Sequence, residues 1–297
     1  MAAAALLVTA PLLADQALKV EEILSKKNSL KADLSFAYSN IDQSTGTTSV
    51  VPVRTLYSYV YVPVYAGDRV IDQDLLFYSL NVKYGVIDGL ELVAFADAHS
   101  ATSRMQYGSQ LTSSSESDFD RAGIGLTYKI KDEGAAPSLL VGATANVVSR
   151  VQYASIEDGN VTGTDKRDEN FDSYNIHLLS YYTVDPLVFV FKASYQWSLE
   201  KSYEQSTIDN GDLLTVSPEV YFAVNPYTNL YWGINYQYKL EDKRNGEAVT
   251  NAESILGFSF GLSYEVVRNS ILSVDYTRND ASTYQQSTFS LTFSQRF

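Results

Sequence analysis

The chain has 297 residues, no cysteine, and 35 acidic against 22 basic side chains, which gives a net charge of −13 at pH 7. The lack of cysteine excludes disulfides, thiolate metal sites and cysteine nucleophiles, and the acidic balance argues against nucleic acid as a partner. Although 45% of the residues are hydrophobic, no apolar run reaches the roughly 18 residues that a membrane-spanning helix needs.

The N-terminal part of the sequence predicts two segments. Residues 1–14 are largely apolar and end on a small residue, Ala14, as a secretory signal-peptide-like segment does, although the basic stretch that usually precedes such a segment is missing. The alternative is a buried helix. Residues 15–28 predict a short helix, because Asp15 can cap its start and Asn28 can end it. This helix could plug a pore, sit at its periplasmic mouth, or be a mere leader.

From residue 29 onward, apolar and polar residues alternate with a period of two, and turn-forming residues interrupt the pattern. The predicted strands are 29–40, 70–86, 90–104, 117–131, 137–151, 171–184, 187–200, 212–224, 228–240, 253–267, 270–278 and 284–297. The connections between them are alternately short, as at Asp88-Gly89 and Arg268-Asn269, and long and polar, as in 105–116 and 152–170. This asymmetry is typical of a bacterial outer-membrane barrel, whose short turns face the periplasm.

The last predicted strand shows two different faces. Phe289, Leu291, Phe293 and Phe297 lie on one side and hydroxyl residues on the other, but a soluble sandwich would alternate in the same way. The aromatic residues separate the two folds, because they concentrate at both ends of the apolar faces, as amphipathic rings do at a bilayer interface. The two predicted belts are Tyr84, Tyr128, Tyr182, Phe222, Tyr264 and Phe297 at the short turns, and Tyr38, Trp197, Tyr238 and Tyr276 toward the long loops.

We therefore predict an all-β fold, a transmembrane antiparallel up-and-down β-barrel of about 12 strands over residues 29–297, with the short N-terminal helix before it. The predicted location is the bacterial outer membrane. The stretch Val50 to Tyr65 is too apolar for an ordinary loop. It is interpreted as an extension of the first hairpin or a loop folded over the mouth, and a barrel of 14 strands is the alternative.

Two segments resemble a known family. The hairpin from Ser79 to Val93, in which Tyr84-Gly85 precedes a tight turn and Leu90-Glu91-Leu92, resembles outer-membrane channels linked to meta-pathway phenol degradation, and Leu30 to Ser39 is similar to that group's first strand. The pore that exports functional-amyloid subunits looks related to this group. The resemblance implies a channel for small organic molecules, or an export pore with a helical plug. The long coiled-coil stretch expected before an amyloid-export barrel is absent.

If the apolar faces meet lipid, the opposite faces line a lumen. Both signs of charge occur there, so we predict ion-paired walls rather than a strongly selective ring. The predicted lumen-lining residues are Lys31, Asp33, Lys83, Glu91, Asp97, Arg121, Lys129, Lys192, Glu200, Glu219, Lys239, Glu265 and Asp275.

Enzymatic activity is not predicted. Neither His99 nor His177 has the serine two residues later that a barrel phospholipase needs, and His99 with Asp97 is the one nearby histidine–acid pair. No nucleotide or zinc motif is present, so we expect no catalytic residue, no metal site and no cofactor.

The expected function is passive passage of small molecules, aromatic or hydrophobic ones among them. The expected partners are outer-membrane lipid, the barrel-assembly machinery through the strand ending in Phe297, and a small-molecule permeant. The alternatives are an export pore for amyloid-like polypeptides, a closed barrel that displays its loops for adhesion, and a barrel hydrolase.

Overall fold

The computed structural model describes residues 24–42, 47–54, 59–67, 70–107, 110–157, 160–203, 206–248, 250–281 and 285–297. The predicted signal-like segment and most of the predicted helix over 15–28 lie outside these ranges. The described end of that helix, residues 24–28, forms a bend and a turn instead, and Asn28 has a φ of 59°. Within the described ranges, no helix has the length and apolar character needed to cross a membrane.

Twelve antiparallel strands form one closed barrel. Each strand pairs with the next one along the chain, and the last strand pairs with the first, so the prediction of twelve strands is confirmed. The barrel strands are β1 (Leu30–Asp42), β2 (Val70–Ile87), β3 (Leu90–Tyr107), β4 (Gln110–Lys131), β5 (Leu139–Glu157), β6 (Ser173–Val184), β7 (Leu187–Ser198), β8 (Leu213–Asn225), β9 (Thr228–Lys239), β10 (Glu253–Val267), β11 (Ser270–Asp280) and β12 (Gln285–Arg296).

The seam between β1 and β12 is continuous. Its register runs from Lys31 opposite Arg296 to Asp42 opposite Gln285. At the short-turn end the Phe297 amide donates to the Leu30 carbonyl at 2.8 Å. Because every barrel strand has two neighbours, the barrel has no open sheet edge, which is the condition for crossing lipid with strands.

The two faces of the strands differ as the alternation predicts. On β10, Leu256, Phe258 and Phe260 are exposed, whereas the inward positions next to them, 257, 259 and 261, carry glycine and serine. Of the predicted belt residues, all but Tyr276 are exposed large side chains on the outer surface. An outer surface this apolar is stable in a bilayer and not in water. The short turns are also found where predicted, and Gly89 (φ 85°) and Asn269 (φ 69°) supply the left-handed conformation that two of them need.

The long connections contain more strand than the sequence predicts. β4 begins at Gln110 rather than 117 and β5 continues to Glu157 rather than 151, and the outer half of β5 pairs with a further strand, Asn160–Glu169. Most of the predicted loops 105–116 and 152–170 is therefore sheet. Hydroxyl side chains bridge the strands in this added sheet, as Thr102 and Ser115 do at 3.2 Å.

The apolar stretch after β1 does not join the barrel. Thr47–Arg54 and Tyr59–Gly67 pair only with each other, so the fourteen-strand alternative is wrong. Four short strands, Lys201–Tyr203, Ser206–Asp209, Lys243–Arg244 and Glu247–Ala248, form a separate small sheet in two neighbouring long connections.

Candidate functional site

The barrel encloses a cavity of about 410 Å³ that is lined mainly by charged, hydroxyl and amide side chains from the inner face. Inward positions of β1, β2, β7, β8 and β11 supply its charges, because alternate residues of a strand point to the same side. Six of the predicted lumen-lining residues border this cavity: Lys31, Asp33, Lys83, Lys192, Glu219 and Asp275.

The first ionic cluster of the cavity lies on β1 and β2. The Asp33 carboxylate is 3.5 Å from Lys31 Nζ and 3.3 Å from Lys83 Nζ. Lys31 and Lys83 are opposite each other in the register of the two strands, so their ammonium groups meet at one height of the wall. The buried carboxylate between them offsets part of their repulsion.

The second cluster extends from β7 to β11. Lys192 Nζ donates to both carboxylate oxygens of Glu219, at 2.8 and 2.7 Å, and the Tyr221 hydroxyl donates to the same carboxylate at 2.7 Å. Tyr221 stacks on Tyr231 with ring centroids 5.1 Å apart, and Tyr231 hydrogen-bonds to Asp275. The result is one connected polar network on this side of the lumen.

A third ion pair lies next to a smaller cavity of about 40 Å³. Arg121 Nε donates to Asp97 Oδ2 at 3.0 Å, and the guanidinium lies 5.7 Å from the centre of the Phe95 ring. Both charged residues are buried. His99, the histidine near Asp97 in the sequence, has its Nδ1 at 2.5 Å from Asp120 Oδ1.

Five further residues from the predicted set do not border the main cavity. Glu91 and Lys239 are buried, the first against the chain before β1 and the second in an ion pair with Asp242. The others lie at or beyond the ends of strands: Lys129 pairs with Asp132 of a short turn, Glu265 accepts from the Asn269 amide, and Glu200 is exposed beyond the end of β7. That these five residues line the lumen stays a prediction, since none of them borders the main cavity.

The chain before β1 lies inside the short-turn end of the barrel. The Ser25 amide donates to Glu91 Oε2 at 2.7 Å, and the Asn28 amide donates to the Gly85 carbonyl at 2.7 Å. A Cβ on Gly85 would lie 2.0 Å from the Lys26 carbonyl oxygen, so only glycine permits this approach. Leu24 packs against an apolar cluster on the wall formed by β5, β6 and β7, namely Leu140, Leu179, Tyr181, Val188 and Val190.

A second apolar cluster lies on the inner face toward the long-loop end. Neither of the two apolar clusters was predicted from the sequence. The members of the second cluster are Ala37, Ile41, Leu75, Phe77, Ala101 and Ile255. The signal was present on β2, where Leu75 and Phe77 occupy inward positions that are polar farther along the strand. Ile255 comes from β10, so this cluster packs together residues that are remote in the ring of strands.

The sheet extension beyond the barrel carries an ionic cluster of its own. The Asp118 carboxylate accepts from Arg150 Nη1 at 2.9 Å and from Lys166 Nζ at 2.6 Å, and Arg150 also pairs with Asp168. Desolvation raises the pKa of Asp118, but the hydrogen bonds from Lys166 and Arg150 outweigh it, so this pKa lies below its ordinary value. These contacts join β4 to the strand Asn160–Glu169.

The two histidines have different partners. His177 Nε2 lies 3.0 Å from Thr127 Oγ1, and His99 pairs with Asp120. In the part of the chain that the structure describes, no group of three His, Asp or Glu side chains could hold a metal ion.

A closed twelve-stranded barrel with an apolar outer surface and an ion-paired interior defines a bacterial outer-membrane β-barrel of the channel or porin class. The chain belongs to the outer membrane protein beta-barrel domain family, whose sequence profile matches residues 135–297. Comparison of the sequence with curated proteins gives no match.

Solved structures share the fold at low sequence identity. The COG4313 outer membrane channel from Pseudomonas putida F1 is 11% identical with a TM-score of 0.60, over 92% of this chain and 97% of that one. The translocator domain of the autotransporter NalP from Neisseria meningitidis is 9% identical with a TM-score of 0.53, over 94% and 92%. The beta domain of the Bordetella autotransporter BrkA is 10% identical with a TM-score of 0.51, over 90% and 99%. These likenesses concern the fold.

Proposed function

We propose that the protein is a passive channel for small molecules across the bacterial outer membrane. The observation that carries this proposal is the cavity of about 410 Å³ within the barrel, whose wall consists of paired charges and hydroxyl groups. A barrel that served only as an anchor would have no need to keep charged side chains around an internal space, since burying a charge is costly. The similarity in fold to a structure described as an outer membrane channel agrees with it.

The permeants that we propose are small organic molecules, aromatic or hydrophobic ones among them. The two apolar clusters on the inner face lie at the two ends of the barrel, one around Leu24 and one around Phe77. A permeant with an apolar part would meet favourable surface there. The hairpin resemblance to channels of phenol degradation points to the same class of molecule.

We further propose that the chain before β1 narrows the channel at the periplasmic end. The contacts of Ser25 with Glu91 on β3 and of Leu24 with the inner face of β5, β6 and β7 support this proposal. Residues 15–28 would then act as a plug, whose opening depends on how firmly residues 24–28 are held.

Single-channel recording of the purified, refolded chain in planar bilayers tests this function. We expect discrete conductance steps, and larger steps in Glu91→Gln, because the neutral amide holds the Ser25 amide less strongly than a carboxylate does. Glu265→Gln is the matched control, because Glu265 binds a turn amide and does not border the cavity. A complete lack of current for both the full chain and Glu91→Gln, at every voltage, would contradict a channel.

A closed barrel that displays its extracellular part is the second candidate. The observation that favours it is the sheet extension, in which Asp118, Arg150 and Lys166 hold strands together beyond the barrel. A protein with that function would carry no current in planar bilayers. It would keep its surface binding when the chain before β1 is released from the wall.

A further inference from the structure

A row of hydroxyl side chains crosses five neighbouring strands of the barrel, β10, β11, β12, β1 and β2. Its members lie directly opposite one another in the register of these strands, and all of them border the main cavity: Ser263, Ser273, Thr292, Ser35 and Ser79. Because alternate residues of a strand share a face, the whole row belongs to the lumen wall. We call this row the hydroxyl track.

The track climbs along the lumen rather than circling it at one height. Residues that are opposite in register lie along the hydrogen-bonding direction, at right angles to the strands. Strands of a transmembrane barrel tilt by about 35–45° from its axis, so a row at right angles to them is inclined to the membrane plane by the same angle. Over the steps from β10 to β2, the track therefore rises by roughly 12 Å along the axis.

A second row of hydroxyl side chains runs parallel to the track, closer to the long-loop end. Its members again lie opposite one another, on β10, β11, β12 and β1: Ser259, Thr277, Thr288 and Ser39. In the track itself, the hydroxyls of Ser35 and Thr292 share a hydrogen bond of 2.9 Å. This pair holds two O–H groups and uses one of them between its members, so the other remains to donate to a molecule in the lumen.

Two buried hydroxyls on opposite walls of the cavity have no hydrogen-bond partner among the described residues. They belong to Ser79 on β2 and Thr215 on β8, two strands that are six positions apart in the ring, and both residues border the cavity. The two residues are only 2% and 5% exposed. Since an unpaired buried hydroxyl is costly, the cavity favours an occupant that supplies hydrogen bonds on both sides.

The charged groups that border the cavity already bind other groups of the protein. The Asp33 carboxylate lies within 3.5 Å of two lysine ammonium groups, and Lys192 donates to both carboxylate oxygens of Glu219. An ion that bound to one partner would have to break such a pair, which is costly in a buried wall. A neutral molecule with hydroxyl groups bonds to the track and leaves the ion pairs intact.

We propose that the hydroxyl track conducts small neutral molecules with many hydroxyl groups, namely aliphatic polyols and monosaccharides, through the middle of the lumen. Such a molecule loses hydrogen bonds to water on entry and regains them at the track, where successive residues take over as it moves along. This inference rests on the proposed channel function and adds a class of permeant to it. The cavity of about 410 Å³ has the size of a small-molecule site.

The first test compares two neutral solutes of nearly the same mass in the wild-type protein. Xylitol carries a hydroxyl group on every carbon, whereas triethylene glycol carries hydroxyl groups only at its two ends. Liposomes containing the full chain are placed in an isotonic solution of either solute, swelling is followed by light scattering, and the rates of protein-free liposomes are subtracted. We expect xylitol to enter about threefold faster or more, because it makes more hydrogen bonds to the track.

The second test removes hydroxyls from the track. The triple variant Ser79→Ala, Ser273→Ala and Thr292→Val should lower the ratio of the xylitol rate to the triethylene glycol rate to about one. The triethylene glycol rate of the same variant reports any change in the width of the lumen. Thr102→Val with Ser115→Ala is the control, because it removes a hydroxyl pair that does not border the cavity, and should leave the ratio unchanged.

Heat-modifiable gel mobility checks that each variant is folded. If the triple variant does not fold, Ser273→Ala alone should lower the ratio in the same direction, since Ser273 is a half-buried residue of the track.

The possible results separate the polyol proposal from the channel function. If triethylene glycol enters the wild type as fast as xylitol or faster, after subtraction, the polyol proposal is overturned and the channel stands. Entry of neither solute, together with a lack of current in planar bilayers, overturns the channel itself. A folded track variant that keeps the wild-type ratio contradicts the hydroxyl track as the cause of the selection.

Discussion

The backbone amide of Ser25 donates a 2.7 Å hydrogen bond to the carboxylate of Glu91 on β3. This bond fastens the chain before the first strand to the inner wall at the short-turn end, although 66 positions separate the two residues. Glu91 is buried, and a carboxylate in that position is stabilised by a backbone donor. In the proposed channel, the Ser25–Glu91 bond holds the N-terminal segment in the position that narrows the lumen.

Gly85→Ala should widen the channel. A Cβ at this position would lie 2.0 Å from the Lys26 carbonyl oxygen, so the N-terminal segment has to leave the wall. We expect larger conductance steps than in the wild type. Gly134→Ala is the control, because a Cβ on Gly134 meets no atom within 4 Å. Unchanged steps in a folded Gly85→Ala variant would show that this segment does not limit the current.

Lys192→Met should destabilise the barrel. The substitution leaves Glu219 in the wall without the ammonium group that donates to both of its oxygens. Breaking a fully buried pair costs about 3–5 kcal/mol, so the loss of this part-buried pair should cost somewhat less, and heat-modifiable gel mobility over a temperature series would detect it. Lys243→Met removes one partner of an exposed pair with Glu241 and should cost about 0–1 kcal/mol. If the two variants melted at the same temperature, the Lys192–Glu219 pair would stabilise the barrel no more than the exposed pair does.

The sheet extension should loosen in acid. The pKa of Asp118 is lowered in the folded state, so the stability it contributes is present above its unfolded pKa of about 3.9 and is lost as the pH falls through the folded value. We expect hydrogen exchange of β4 residues beyond Arg121 to accelerate below about pH 4, while the barrel strands stay protected. Arg150→Gln should show the same acceleration at neutral pH. If the protection of these β4 residues from hydrogen exchange did not depend on pH, this ionic cluster would not be what holds the sheet extension together.

Phe297→Ala should impair assembly more than stability. The Phe297 ring is 72% exposed on the outer face, while its backbone already pairs with Leu30. If the barrel-assembly machinery reads this residue, the amount of folded protein in outer membranes should fall, and the refolded variant should melt like the wild type. Val267→Ala, at a position 62% exposed, is the control for lost outer apolar surface. If the Phe297→Ala variant reached normal levels in the outer membrane, Phe297 would have no role in assembly.

The strands predicted from the sequence agree closely with the strands of the barrel because the bilayer imposes a simple rule on the sequence. Lipid requires an apolar residue at every second position, and a tight turn requires residues such as Gly89 or Asn269. Both signals are local. The sheet extension was missed for the complementary reason: outside the bilayer, nothing forces alternation on residues such as Thr102 and Ser115, which pair through hydroxyl groups.

By itself, the sequence determined the class of fold, the number of strands and the face of the sheet that meets lipid. Only the tertiary structure decided which charges meet. Lys192 pairs with Glu219 and Asp33 with two lysines because strand register sets their height, and Leu24 reaches β6 and β7 because closure of the ring turns their inner faces toward the chain before β1. Periodicity specifies a face, whereas contacts across a lumen depend on closure of the whole ring.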